Sequence, residues 1–158
     1  MINVLEKKSQ QSKQANNEVM RLEQIIDNID ANIYWKDVHG RFLGMNKANL
    51  KTLGKDLGIE DVVGKLISEI LPEHSYHMDI HSNDLNVINN NKTVHVEEIY
   101  TVDGEKESKV CLSSKSPLVD DLGNVIGMVG VSFDISKQKK LEQKLDVKES
   151  IIKSLLHI

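Results

Sequence analysis

A chain of 158 residues that is 39% apolar and 28% charged is long enough for one domain of ordinary size and has the make-up of a globular protein with exposed helices. Its net charge of −4 carries no basic excess, which speaks against a nucleic-acid partner. Its one cysteine, Cys111, excludes an internal disulfide and fits a reducing, cytoplasmic setting. No apolar run reaches the roughly eighteen residues of a membrane span, and Glu6 to Asn17, polar apart from Ala15, lacks the apolar core of a signal peptide.

Residues 1–18 are rich in Gln, Asn, Lys and Ser and read as a frayed helix or a tail. From Val19 the pattern changes. Val19, Leu22, Ile25, Ile26 and Ile29 recur at three- and four-residue steps, one face of a helix that stops near Asp30-Ala31-Asn32. That face either covers a sheet or, through Leu22, Ile25 and Ile29, meets a second copy. Ile33 to Lys36 is a short aromatic strand. Asp37 to Gly40 has the make-up of a hairpin turn, and Arg41 to Met45 returns. Asn46 can cap a helix over Lys47 to Leu53, which Gly54 ends. Short pieces follow, with a helical turn at Ser68 to Leu71, before Pro72 starts a new element.

His74 to Asn90 reads as a helix with an imperfect apolar stripe. Thr93 to Val102 alternates as a strand, with Val94, Val96, Glu98 and Tyr100 opposite His95, Glu97 and Ile99. Asp103-Gly104 is a strong hairpin signal, and Glu107 to Ser116 returns with Val110 and Leu112 on one face, ended by Pro117. After a turn at Asp121 to Asn124, Val125 to Phe133 is a β-rich apolar strand. Gly127 and Gly130 within it imply a bulge or a close backbone approach. Ser136 can cap a helix from Lys137. Leu141, Leu145, Ile152 and Leu155 form a broken heptad in which Lys148 takes an apolar position, enough for a modest dimer contact. Lys137 and Lys139 oppose the helix dipole by roughly a few tenths of a kcal/mol each.

Two strands, inserted helices and three further antiparallel strands, in that order, resemble a PAS domain. The residues that carry the likeness are Tyr34-Trp35-Lys36-Asp37 with Gly40 and Asn46, Val62-Val63-Gly64-Lys65, and the strand pair around Asp103-Gly104. To these add Pro117 with Gly123-Asn124-Val125-Ile126-Gly127, and Asp134-Ile135-Ser136, similar to the family's Asp-Ile-Thr close. The Tyr-Trp-Lys-Asp start, the Gly-Lys pair and Val87-Ile88-Asn89 look like sensor domains of bacterial histidine kinases. The resemblance spans residues 25 to 137. It implies an α+β fold with a five-stranded antiparallel sheet in the order 2-1-5-4-3 and helices on one face enclosing a ligand pocket. The chain then divides into an N-terminal flanking helix (1–30), a PAS sensor domain (31–136) and a C-terminal signalling helix (137–158).

For the pocket, Trp35, Met45, Tyr100, Leu112 and Phe133 are the bulky candidates, with plain core packing as the alternative. His74, His77 and His81 stand at spacings of three and four, and Asp84 follows three beyond His81, so a metal could be held there; a solvated polar helix is the simpler account. The resemblance also leaves haem open, with His77 or His81 as axial ligand. No Asn-Cys-Arg motif is present, so a flavin photoadduct is not expected. No phosphate loop surrounds Gly54-Lys55 or Gly64-Lys65, and no nucleophile stands beside a base, so the chain is not expected to be an enzyme. The family's pattern implies an Asp134–Lys36 pair and a relay through Lys36, Asp134, Ile135 and Ser136 into the last helix. That helix, through Leu141, Leu145 and Ile152, would join a homodimer and pass a small-molecule or partner signal to a kinase or other output domain. A ligand-free dimerisation module is the rival expectation.

Overall fold

The computed structural model describes residues 3–54, 56–101 and 106–157. Helix α1 (Val4–Asp27) leads into β1 (Asn32–Lys36) and β2 (Phe42–Met45). Then come α2 (Lys47–Leu53), a 3-10 turn (Ile59–Asp61), α3 (Ile67–Ile70) and α4 (His77–Asn90). The chain closes with β3 (Val94–Tyr100), β4 (Lys109–Val119), β5 (Val125–Asp134) and α5 (Ser136–Leu156). All five strands join one antiparallel sheet in the order β2-β1-β5-β4-β3. This is the α+β architecture and the strand order that the resemblance implied.

Local chemistry accounts for the joints. In the β1–β2 turn, Asp37 Oδ1 accepts hydrogen bonds from the His39 and Arg41 amides at 2.9 Å each, and Gly40 adopts φ +80°, a backbone angle natural to glycine. Asn46, 1% exposed, ties three elements together. Its Oδ1 accepts from the amides of Ile33 in β1 and Asn49 in α2, and its Nδ2 donates to the carbonyls of Ile26 and Ala31. Four hydrogen bonds on one buried amide leave no register slip that keeps them all.

Cross-strand pairing sorts every strand residue onto one of two faces. The inner face carries Tyr34, Lys36, Glu98, Ser113, Lys115 and Met128, and it is covered by α2, α3 and α4. The outer face carries Trp35, Leu112 and Phe133. Tyr34, Phe42, Val62, Leu71, Val87 and Met128 anchor the apolar core between sheet and helices. Glycine makes room in β5. A side chain at Gly130 would collide with the Tyr34 ring, and one at Gly127 with the Lys36 backbone carbonyl.

Of the two readings of the N-terminal stretch, residues 4–18 take the helix, without burying any side chain and with a capping box of Asn3 and Glu6 at its start. Three local expectations are corrected. Helix α4 begins at His77 rather than His74. Strand β4 runs through Pro117 to Val119; β3 stops pairing at Lys115, so Pro117 has only β5 beside it and its missing N–H breaks no ladder. Ser136 is not the cap of α5: its hydroxyl accepts from the Val110 amide, and Asp134 Oδ1 accepts from the Ser136 amide instead. The Asp103-Gly104 hairpin lies outside the described residues. In the first turn of α5, Lys139 and Lys140 reach Glu97 and Glu107 at 2.8 and 2.7 Å, which offsets their opposition to the dipole.

Gly127→Ala should lose about 1–3 kcal/mol, since its methyl meets backbone that cannot swing aside. Gly123→Ala, at φ +83° with open space around it, should lose only the left-handed penalty of about 1 kcal/mol. Urea denaturation midpoints of the two variants check the order.

Candidate functional site

Four ionisable side chains meet under α4. Asp84 on α4 accepts from Lys36 Nζ of β1 at 2.5 Å and from Lys115 Nζ of β4 at 2.7 Å. Lys115 also donates to Glu98 of β3 at 2.6 Å. Lys36, Asp84 and Lys115 have no solvent exposure, and Glu98 is 7% exposed. Polar neighbours extend the set. Glu98 accepts from Asn83 and from the Ser113 hydroxyl, and Ser113 meets Ser132 at 2.7 Å. Lys36 Nζ also lies 4.3 Å from the centroid of the Phe42 ring, an aromatic contact that favours a cation. Burial lowers the Lys36 pKa, against the pull of the Asp84 charge. Burial, then the Asp84 and Glu98 charges, push the Tyr34 hydroxyl well above its ordinary 10.0.

Beside this network lies a cavity of about 80 Å³. Tyr34, Phe42, Leu71 and Ile80 supply apolar walls, while Lys36, Glu98, Asn49 and Ser132 bring polar groups to it. Tyr100 and Cys111 line the side toward the end of β5; burial pushes the Cys111 thiol up, so it stands as a protonated thiol.

The candidates read from the sequence separate across the sheet. Tyr100 lines the cavity, and Met45 is buried on the inner face as the partner of Tyr34. Trp35, Leu112 and Phe133 do not reach it. Trp35 lies over Gly44 in a groove beside Ile26, and Leu112 and Phe133 are an exposed cross-strand pair on the outer face. One residue of register decides each case, because strand side chains alternate. His77 and His81 face a surface groove with Ser68 and Ser82, and His81 abuts Gly40. Asp84, which would complete a metal array with them, points inward to the two lysines. Among the described residues no group of three or more His, Cys, Asp or Glu side chains is arranged to hold a metal. The cavity offers haem no axial histidine, since His77 and His81 both line the separate surface groove.

The Asp134–Lys36 pair is also corrected. Lys36 lies opposite Met128, whereas Asp134 lies at the far end of β5 opposite Cys111, so the two cannot meet. Asp134 instead serves the joint to α5. Burial acts to raise its pKa, but the Ser136 amide and hydroxyl, the Lys109 charge and the Tyr100 hydroxyl together hold the carboxylate below its ordinary value. The Ile135 amide donates to the Val110 carbonyl at 2.9 Å, which fastens the joint to β4. The dimer-helix candidates are all exposed in the single chain: Leu22 and Ile25 on α1, Ile29 just beyond its end, and Leu141, Leu145 and Ile152 on α5.

The sequence reading passed over Glu98, Lys115, Ser113 and Ser132. One signal was present: Glu98 shares its strand face with Val94, Val96 and Tyr100, an ionisable group in an otherwise core-like row. Lys115 offered none, since it stands among Ser113, Ser114 and Ser116 with no apolar residue beside it to mark a core face.

Removing the shared acceptor should be severe. Asp84→Ala leaves two buried ammonium groups short of a partner and should lose about 3–5 kcal/mol in urea denaturation. Tyr34 should stay neutral in the folded chain well above pH 10. The unfolded chain ionises it near 10, so stability should fall as pH rises from that value toward the raised one. Ultraviolet titration should show one of the three tyrosines silent until unfolding.

A family model described as the PAS fold matches residues 26–140. Among solved structures, the PAS domain of Bordetella pertussis BvgS shares 27% identity at a TM-score of 0.63, over 85% of this chain and 98% of that one. Vibrio cholerae VqmA shares 22% identity at a TM-score of 0.65, over 74% of this chain and 52% of that one, so the chain spans about half of VqmA. The PAS domain of an HTR-like protein from Haloarcula marismortui has a TM-score of 0.60 at 17% identity, over 80% of this chain and 99% of that one. No curated protein matches the chain significantly by sequence. With the strand order, the helices over one sheet face and a family match across most of its length, the chain belongs to the PAS family.

Proposed function

We propose that the chain is the cytoplasmic input module of a bacterial histidine kinase, which senses a small molecule or partner in its cavity and relays the event through α5. PAS domains are signal-sensing modules, and the kinase context rests on the likeness of the Tyr34-Trp35-Lys36-Asp37 start to kinase sensor domains. The carrying observation is Tyr100. Its side chain lines the cavity and shares a groove with Asp134, whose carboxylate it helps to hold below its ordinary pKa and which accepts from the Ser136 amide at the head of α5. A guest that displaces Tyr100 therefore loosens the helix start without any other moving part. Two helix arrangements a few kcal/mol apart suffice for such a switch. VqmA, of similar fold, has been solved bound to DPO, which supports a small-molecule role for the cavity. The exposed stripes of α1 and α5 support a homodimer. The chain would contribute no catalytic step of its own, the chemistry lying with the output domain.

The same stripes favour a second reading, a dimerisation module with a filled core and no ligand. Tyr100→Phe separates the two. On the sensor reading it removes the hydroxyl that acts on the Asp134 carboxylate, without changing the fold. Amide exchange over Ser136 to Lys140 should then quicken, and output of the parent protein should change. Unchanged exchange and unchanged output would leave only the dimerisation module.

A further inference from the structure

The charge balance around the cavity bears on what it takes, given the reading above that it binds a guest. Lys36 and Lys115 stand against Asp84 and Glu98, two positive charges against two negative, and none of the four is more than 7% exposed. A charged guest of either sign would be buried without a counter-ion, which a low-dielectric interior penalises.

Hydrogen bonding within this neutral set is nevertheless incomplete. Lys115 Nζ donates to Asp84 and to Glu98. Among the described residues Lys36 Nζ donates only to Asp84, and its other near contacts are the faces of the Phe42 and Tyr34 rings, at 4.3 and 5.4 Å from the centroids. Ring faces are weak acceptors beside a carbonyl oxygen, so the hydrogen bonding of this fully buried side chain, which lines the cavity, is incomplete. Glu98 lines it as well. Its carboxylate has about four acceptor positions, and Asn83, Lys115 and Ser113 occupy three of them.

We infer that the cavity takes an uncharged small molecule whose carbonyl-type oxygen accepts a hydrogen bond from Lys36 Nζ. An amide fits best, because its N–H can serve the remaining acceptor position of Glu98. The guest is small. An apolar cavity of about 150 Å³ admits benzene, so about 80 Å³ admits roughly three to five non-hydrogen atoms, or the buried end of a longer molecule.

Acetamide and acetate have the same shape and differ in charge, which makes them the test pair. Proton–nitrogen correlation spectra of the whole chain, titrated with each, should show saturable shifts at Tyr34, Lys36 and Ser132 with acetamide. Acetate should bind at least about tenfold more weakly. In Asp84→Asn the set gains one net positive charge, and the order should invert, acetate binding more tightly than acetamide. Lys36→Met combined with Asp84→Asn restores neutrality and keeps the Lys115–Glu98 pair. There acetamide should weaken at least about fivefold in a folded chain, and this double variant decides the matter should Asp84→Asn not fold. Acetate binding as tightly as acetamide to the unaltered chain, or the double variant binding acetamide undiminished, overturns the inference while leaving a ligand site in place. Silence of both probes at every cavity amide overturns the inference and the ligand-sensing reading together.

Discussion

Asp84 reaches from α4 to two lysines on two different strands, and the inner face of the sheet is arranged around that contact. A buried ion network is a weak source of net stability, because the desolvation of four charges offsets most of their attraction. Its force is in discrimination. Any displacement of α4 along the sheet, or slip of β1 or β4 by one residue, would strand a charge in a medium that cannot solvate it. Apolar packing by Val87, Ile88 and Met128 tolerates small shifts; the charge set does not.

The same set shapes the cavity. Lysine stems crossing the inner face fill volume that branched apolar residues would otherwise close, and their heads gather at one end beneath α4. The remaining space runs toward Tyr100, Cys111 and the end of β5. That placement puts the cavity one side chain away from the strand-to-helix joint. Tyr100 lines the cavity and shares a groove with Asp134, Asp134 accepts from the Ser136 amide, and Ile135 and Ser136 fasten the joint to Val110. Further out, Lys139 reaches Glu97 on β3, so α5 is linked to β3 as well as to β4. Such an exposed pair adds little stability by itself, but it sets direction.

The outer face has a different character. Leu112 pairs with Phe133 across β4 and β5, and Ile99 pairs with Val110 across β3 and β4, with Leu112, Phe133 and Ile99 left open to solvent. Long helices with single apolar stripes stand at both ends of the chain, and neither buries a residue. The single chain thus exposes helix stripes and a sheet face together, the kind of apolar surface that marks interaction sites in general.

Element type and order were legible in the chain because they depend on local chemistry. Strand alternation at Val94 to Tyr100, the Asp37–Gly40 turn, Asn46 before a helix and Gly127 and Gly130 in a crowded strand each express a constraint acting over a few residues. Strand neighbours came only with the family likeness, since nothing in periodicity states which strand pairs with which. What tertiary structure alone decided was the facing of each strand and the identity of ion partners. Trp35 and Tyr34 are adjacent, equally aromatic and opposite in fate, because a register of one residue sends them to different faces. Lys36 and Asp84 lie 48 positions apart, and only the closure of α4 over the sheet brings them together. Local sequence carries local geometry; a buried charge finds its counter-ion only once the chain has folded around both.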